Sequence, residues 1–349
     1  MAKLKDNRIS RRSFIKGIAA TGALAVAGMA GCNEAGEAPT IVAGNSGEGK
    51  MSEIAFVSTD NRADGVEKAM DLVGTGKFKN KTIFIKPNFN SADPTPGSTH
   101  IDVLRSIVKR LWQEGASGIT VGDRSGMGNT RKAMEQKGIF QLGRELDFEV
   151  LVLDELPESG WQKFTPSGSR WSQGFYIPKV CLEVDDIIQT CCLKTHRFGG
   201  HFTMSLKNSV GLAAKRVPGD GHDYMGELHS SPYQRTMIAE INQAYKPSLV
   251  ILDGVEAFVS GGPDKGKKVD SNIVLAGSDR VAIDAVGVAV LRYFGTTPEV
   301  EYGSIFEQEQ ISRAVQLELG VDSGRRISLV TPDRQSEEYA GRIHGILYG

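Results

Sequence analysis

Apolar positions in the first half of the chain recur in two alternating periods. Short apolar runs at 54–57, 82–86, 119–122 and 149–153 have the length of buried strands. Between them, stretches at 65–73, 98–114, 130–137 and 140–145 carry apolar residues at helical spacing. In the longest, Ile101, Leu104, Ile107, Val108 and Leu111 share one face, and Ser98 stands where an N-cap is expected. Strand and helix in alternation predict a parallel sheet covered on both faces. The pattern breaks at 156–183, where Pro, Gly, Ser and aromatics predict loops and short antiparallel strands, an insertion or lid. A buried strand returns at 186–193, followed by a polar segment at 194–232. The last third is α/β again, with a helix at 233–245, strands at 249–252 and 271–276, and a helix at 280–294 capped by Ser278 or Asp279. The expected fold class is α/β: a parallel or mixed sheet flanked by helices, in two lobes of approximately 53–155 and 184–349, with a polar crevice between them.

Upstream of the first strand the pattern is of another kind. Ser10, Arg11, Arg12, Ser13, Phe14, Ile15 and Lys16 spell a twin-arginine pattern, and the apolar run 17–31 has no charged residue. That run falls short of the roughly 20 apolar residues a membrane span takes. A charged start, an apolar run and small residues before a cut describe a removable signal. Met29, Ala30, Gly31 and Cys32 fit a lipoprotein cleavage box that leaves Cys32 acylated. The expected organisation is a signal at 1–31, a Gly-, Ala-, Ser- and Asn-bearing tether at 32–52 and a folded region at 53–349. The twin-arginine translocase is the expected partner in export. The expected location is the cell envelope, with the body lipid-anchored to a membrane and facing the periplasm or the outside. That route suits a protein that loads a cofactor or assembles before it leaves.

The whole chain is near neutral, with 41 Lys and Arg against 42 Asp and Glu. The leader takes six basic residues and one acid with it, so the mature protein is more acidic, which argues against nucleic acid as a partner. Cys181, Cys191 and Cys192 match no zinc or iron–sulfur spacing. A bridge from Cys181 to either of the others is open in an oxidising compartment, although the apolar surroundings of Cys191 and Cys192 favour simple burial.

Polar residues gather just after the expected strands: Lys86, Pro87 and Asn88; Asp123, Arg124 and Ser125; Lys194 and His196; Asp253 and Gly254. In open α/β sheets ligands bind beyond the carboxyl ends of the strands, so these clusters are expected to converge on one crevice. Four of the six histidines, His196, His201, His222 and His229, lie within 34 consecutive residues. His222 reads as an ordinary surface histidine, whereas His196 is the candidate general acid or base. His229 and His201 are candidate metal ligands, so a metal ion is the cofactor class the residues allow. Lys194 and Lys207 are candidate charge stabilisers, and Lys86, Asn88, Asp123 and Arg124 are candidate substrate-binding residues. With Lys215 and Arg216 they predict a locally cationic crevice, hence a small anionic ligand, carboxylate or phosphate. Asp284, within an apolar helical stretch, is expected to meet a base or a backbone amide.

At these residues the chain resembles the bacterial and archaeal family called domain of unknown function 362. The resemblance runs from about Ile54 to Phe294. It rests on Lys86-Pro87-Asn88, Lys194-x-His196, Ser205-Leu206-Lys207-Asn208 with Gly211, His229, Asp253-Gly254, Gly262-Pro263, and Asp279 with Val281, Ala282 and Asp284. The cluster-bearing ferredoxin-like domain of some members has no counterpart here. More distantly, the chain is similar to the nickel-pincer lactate racemases. That likeness implies His196 as a proton-transfer base, Lys207 as the cofactor-attachment lysine and His229 as a nickel ligand. Two positions depart from it. Gly122-Asp123-Arg124 has no histidine where the racemases place a second catalytic one, and Thr203-Met204-Ser205-Leu206 replaces a glycine-rich run. These departures weigh against a nickel-pincer cofactor and leave a shared crevice for a small carboxylate. The expectation is an exported enzyme acting on a small anion; the alternative is a lipid-anchored protein that binds such an anion without turnover.

Overall fold

In the computed structural model, the apolar runs assemble side by side into one sheet. The structure describes residues 40–42, 51–74, 76–126 and 128–348. The twin-arginine pattern, the cleavage box with Cys32 and most of the expected tether lie outside the described residues. The strands are β1 (Thr40–Val42), β2 (Ser52–Ser58), β3 (Thr82–Lys86), β4 (Gly118–Asp123), β5 (Glu149–Val152), β6 (Trp161–Phe164), β7 (Phe175–Pro178), β8 (Asp186–His196), β9 (His201–Thr203), β10 (Leu249–Gly261), β11 (Gly266–Gly277) and β12 (Ile327–Thr331).

Ten of them form a mixed sheet in the order β1-β12-β2-β11-β10-β8-β3-β4-β5, with β9 paired to β8; β6 and β7 pair separately. Strands β12, β2, β10, β8, β3, β4 and β5 run one way, and β1, β11 and β9 run against them. The two expected lobes share one continuous sheet and do not divide at the β3/β8 pair: β3, β4 and β5 lie on one side of it, but β2, the first strand of the expected first lobe, lies on the other, between β12 and β11. From β3 the chain moves outward to β4 and β5; from β8 it moves the other way to β10 and β11. The β3/β8 boundary is therefore a topological switch point, where an open α/β sheet leaves room for a ligand.

Period-two alternation puts Ile83, Ile85, Val121, Ile188 and Ile251 on one face, under the helices Arg62–Val73, Ile101–Gln113 and Ile139–Leu146. The opposite face carries two clusters. The helices Arg280–Tyr293 and Arg334–Tyr348 cover the β2, β10, β11 and β12 side. The β6–β7 pair and the helices Tyr224–Ser230 and Gln234–Ile241 pack with Phe84 and Ile187. Among the described residues, no helix is long and apolar enough to cross a membrane.

The structure corrects several local expectations. His100, not Ser98, caps the helix Ile101–Gln113, its Nδ1 accepting from the Asp102 amide at 3.2 Å. Ser98 instead donates to the Ser91 carbonyl. The strand expected to stop at 193 runs on to His196, and the one expected at 249–252 runs on to Gly261. Asp253 therefore sits inside a strand, next to a register shift, with its Oδ2 2.9 Å from Arg62 Nε; it does not line the crevice. The strand β12 and the helix Arg334–Tyr348 have no counterpart in the expected elements. Cys181, Cys191 and Cys192 are buried and unbridged, and burial raises the Cys192 thiol to about 11.

Candidate active site

Three strand ends build the crevice. β3 ends in Lys86 and leads through Pro87 to Asn88; β4 ends in Asp123, followed by Arg124; β8 carries Lys194 and His196. The short helical turn Ser205–Asn208 supplies Lys207 and Asn208. Lys86, Asn88, Asp123, Arg124, Lys194, His196 and Lys207, all expected site residues, line one cavity of ≈ 40 Å³. That volume suits a carboxylate or phosphate group and falls well short of the roughly 300–1,000 Å³ of pockets for larger ligands.

The cations differ in how they are held. Lys86 Nζ lies 2.6 Å from Asp123 Oδ1 and also donates to Asn208 Oδ1 at 3.0 Å and to the Pro87 carbonyl. Asp123 accepts further from the backbone amides of Phe89 and Arg124, so each of its oxygens is occupied. Gly211 presses on this pair: a Cβ there would stand 2.6 Å from both Asp123 Oδ1 and Lys86 Nζ. Lys194 has no carboxylate partner; it donates to Asn88 Oδ1 at 3.1 Å and to the carbonyls of Gly97 and Pro263. Arg124 donates to the carbonyls of Ser125, Gly126 and Val210, and burial lowers its guanidinium to about 10.

The Lys207 amino group makes no hydrogen bond or ion pair among the described residues. Burial, aided by the charges of Lys194 and Arg124, lowers its ammonium to about 7. Burial and the charges of Lys207, Lys194 and His229 hold the His196 imidazole well below its ordinary value, so the ring is neutral near pH 7. Three buried polar atoms of the lining find no partner: His196 Nδ1, Thr203 Oγ1 and Arg124 Nε. In a protein interior such atoms are exceptions that call for a reason, and a bound polar ligand supplies one. Four basic side chains and one carboxylate line the cavity, which leaves an uncompensated positive charge for an anion to meet.

Two residues the motif scan left outside the candidate set complete the arrangement. Asn208 is a hub: its Oδ1 accepts from Lys86 and Asn88, and its Nδ2 donates to the Thr190 carbonyl. Asp284 accepts from the Ser205 and Leu206 amides at 2.7 and 3.1 Å, the backbone-amide partnership expected of it, and so holds the turn that carries Lys207. Burial raises its carboxyl to about 7.

The remaining candidates separate. His229 lies close enough for its charge to act on His196, and its Nδ1–H donates to the Met225 carbonyl at 2.7 Å. His201 does not join it; its charged neighbours are Arg235, Glu299 and Glu309. Among the described residues, no group of three or more His, Cys, Asp or Glu is arranged to hold a metal ion. Lys215 and Arg216 also stay out of the crevice, paired to Asp154 and Asp223. His222 bonds Glu227, as suits a surface histidine. The cavity of ≈ 40 Å³ does not fit a nickel-pincer nucleotide, which needs several times that room.

Fold and site define a mixed α/β protein with a buried, cation-rich crevice at the switch point of its sheet. The chain belongs to the family described as domain of unknown function (DUF362), which matches residues 83–289, more than half of its length. It is 26% identical over 226 residues to the thylakoid-associated protein sll1697 of Synechocystis sp., covering 63% of this chain and 67% of that one. Among solved structures it is similar to the lactate racemase apoprotein from Thermoanaerobacterium thermosaccharolyticum, with a TM-score of 0.40 and 17% identity over 64% of this chain. The chain spans about half, 54%, of that structure's length.

Proposed function

We propose that the protein is an enzyme acting on a small carboxylate or phosphate anion bound at the β3/β8 switch point. The observation that carries this reading is the surplus of buried cations around a small cavity whose lining contains unpartnered polar atoms. The charges of Lys194 and Lys207, neither of which has a carboxylate partner, attract the anion, while Lys86 stays committed to Asp123. His196, neutral and with Nδ1 unpartnered, accepts or returns a proton at the reacting atom. The fixed cations stabilise charge that develops there without having to reorganise.

Calorimetric titration with oxalate and with inorganic phosphate tests the site. Binding of at least one is expected, lost in Lys207→Ala and weakened in His196→Ala. Absence of binding, or unchanged binding in both variants, refutes the assignment. Recovery of every bound anion unchanged would reassign the crevice to capture without turnover.

The same proposal includes export in folded form by the twin-arginine translocase and anchoring through a lipid on Cys32, on the strength of the residue pattern at 10–32. The description of the Synechocystis relative as thylakoid-associated is in keeping with a membrane address. Cys32→Ala is expected to release the protein to the soluble envelope fraction, and Arg11→Lys with Arg12→Lys to retain it in the cytoplasm. Unchanged fractionation of either variant contradicts the corresponding step.

A further inference from the structure

We propose that Lys207 is a nucleophile that condenses with the carbonyl carbon of a small 2-oxo acid to form an imine, while the neighbouring cations hold the carboxylate. This rests on the anion-site reading above and narrows its substrate to a carbonyl-bearing acid.

The geometry sets Lys207 apart from the other lysines of the crevice. The Lys86 and Lys194 amino groups each have three acceptors, as an ammonium with three donors requires. Lys207, also buried but at 9% exposed against 1% and 0% for those two, has none among the described residues. An amine so placed is better accommodated neutral, with its lone pair available, and the direction of its acidity agrees.

The amine is also positioned. Asp284 pins the start of its turn through two backbone amides, and Asn208, the next residue, is tied to Lys86 and to the Thr190 carbonyl. Gly200 lets both groups pack against its backbone: a Cβ there would come within 2.5 Å of Lys207 Cε and 3.0 Å of His196 Nδ1. The amine-bearing carbon and the unpartnered imidazole nitrogen therefore flank one point, the arrangement that proton transfer to and from an intermediate needs.

In the step, the Nζ lone pair attacks the carbonyl carbon, and one of the two nitrogen protons passes by way of His196 Nδ1 to the carbonyl oxygen, giving a neutral carbinolamine that keeps the second. His196 Nδ1 accepts a proton from the nitrogen and returns it to the hydroxyl, which leaves as water as the carbon–nitrogen double bond forms. Amine and oxo acid become imine and water, with no oxidant or reductant. Lys194 and Arg124, whose charges lower Lys207, face the carboxylate.

The test is reductive trapping in the full-length protein. Protein incubated with pyruvate or glyoxylate is treated with sodium borohydride and read by intact and peptide mass spectrometry. One reduced adduct per chain is expected, mapped to Lys207 by peptide mass spectrometry, suppressed by oxalate and absent from Lys207→Arg. His196→Ala is expected to slow adduct formation without moving its site. Oxalate binding without any borohydride-dependent adduct at Lys207 overturns the imine and leaves the anion site standing. Adducts spread over surface lysines, and insensitive to oxalate, also overturn it. Failure of both binding and trapping removes the anion site along with it.

Discussion

The two edges of the sheet offer cavities of very different size and chemistry. At the amino edge, lined by Ser52, Leu249, Asp279 and Arg280, lies a cavity of ≈ 710 Å³; at the carboxyl edge lies one of ≈ 40 Å³. Yet Arg280 and Asp279, the charged pair at the start of the helix Arg280–Tyr293, are occupied with structure there. Arg280 donates to Asn242 Oδ1, to the Asn242 carbonyl and to the Tyr245 carbonyl, and its guanidinium lies over the Tyr245 ring. Asp279 caps its helix through the Ala282 amide and accepts from the Val321 amide. Among the described residues, none of the buried atoms without partners lines that cavity, whereas three line the small one. The difference teaches that unspent hydrogen-bonding capacity and charge, rather than volume, mark the site.

Breaking the carboxyl edge gives the largest expected effect. Lys86→Met leaves Asp123 buried without its cation and is expected to cost about 3–5 kcal/mol in urea denaturation, most of it recovered in the Lys86→Met/Asp123→Leu double variant. A small loss in the single variant would mean that the pair is not desolvated.

Lys207→Met is expected to do the opposite, gaining roughly 1–3 kcal/mol below neutral pH while abolishing anion binding. The sign follows from linkage. The folded-state value, about 7, lies below the ordinary 10.5, so the unfolded chain binds more protons between the two and stability rises with pH across that window. The penalty is fully present below pH 7 and relieved by about 10.5, and Lys207→Met should flatten that rise in urea titrations taken across it.

At the amino edge, Arg280→Lys is expected to lose about 1–2 kcal/mol through its broken hydrogen bonds, with oxalate binding unaltered. Weakened binding in a folded Arg280→Lys protein would break the comparison between the edges. The smallest effect is expected from His229→Gln, which keeps a polar side chain at that position: stability within about 0.5 kcal/mol of the parent and only a few-fold change in oxalate affinity.

The strand ends that carry the crevice are legible in the sequence because apolar runs there give way to charged residues. Six candidates chosen on that signal line one cavity, where Lys207, from the polar segment that follows β8, joins them. Asp253 shows the limit of the same rule. Its apolar run also ends in a charge, but the backbone continues extended for eight more residues and the carboxylate is taken by Arg62, 191 positions away. His201 fails for a similar reason: closeness in sequence to His196 does not set which neighbours its ring meets. The Asn208 hub had a local sign, an amide immediately after the candidate lysine, but its partners Lys86 and Asn88 lie more than a hundred residues upstream.

Local chemistry along the chain determined the strand-and-helix rhythm, the cation-rich composition of the crevice, the burial of Asp284 and the leader pattern around Arg11, Arg12 and Cys32, because each depends on neighbours within a few residues. The tertiary structure alone decided which charges are spent. Lys86 and Lys207 look alike in sequence, two lysines in polar segments. Chain topology gives one a carboxylate and leaves the other facing a cavity, because ion pairs in a buried site are made between segments that only the sheet brings together.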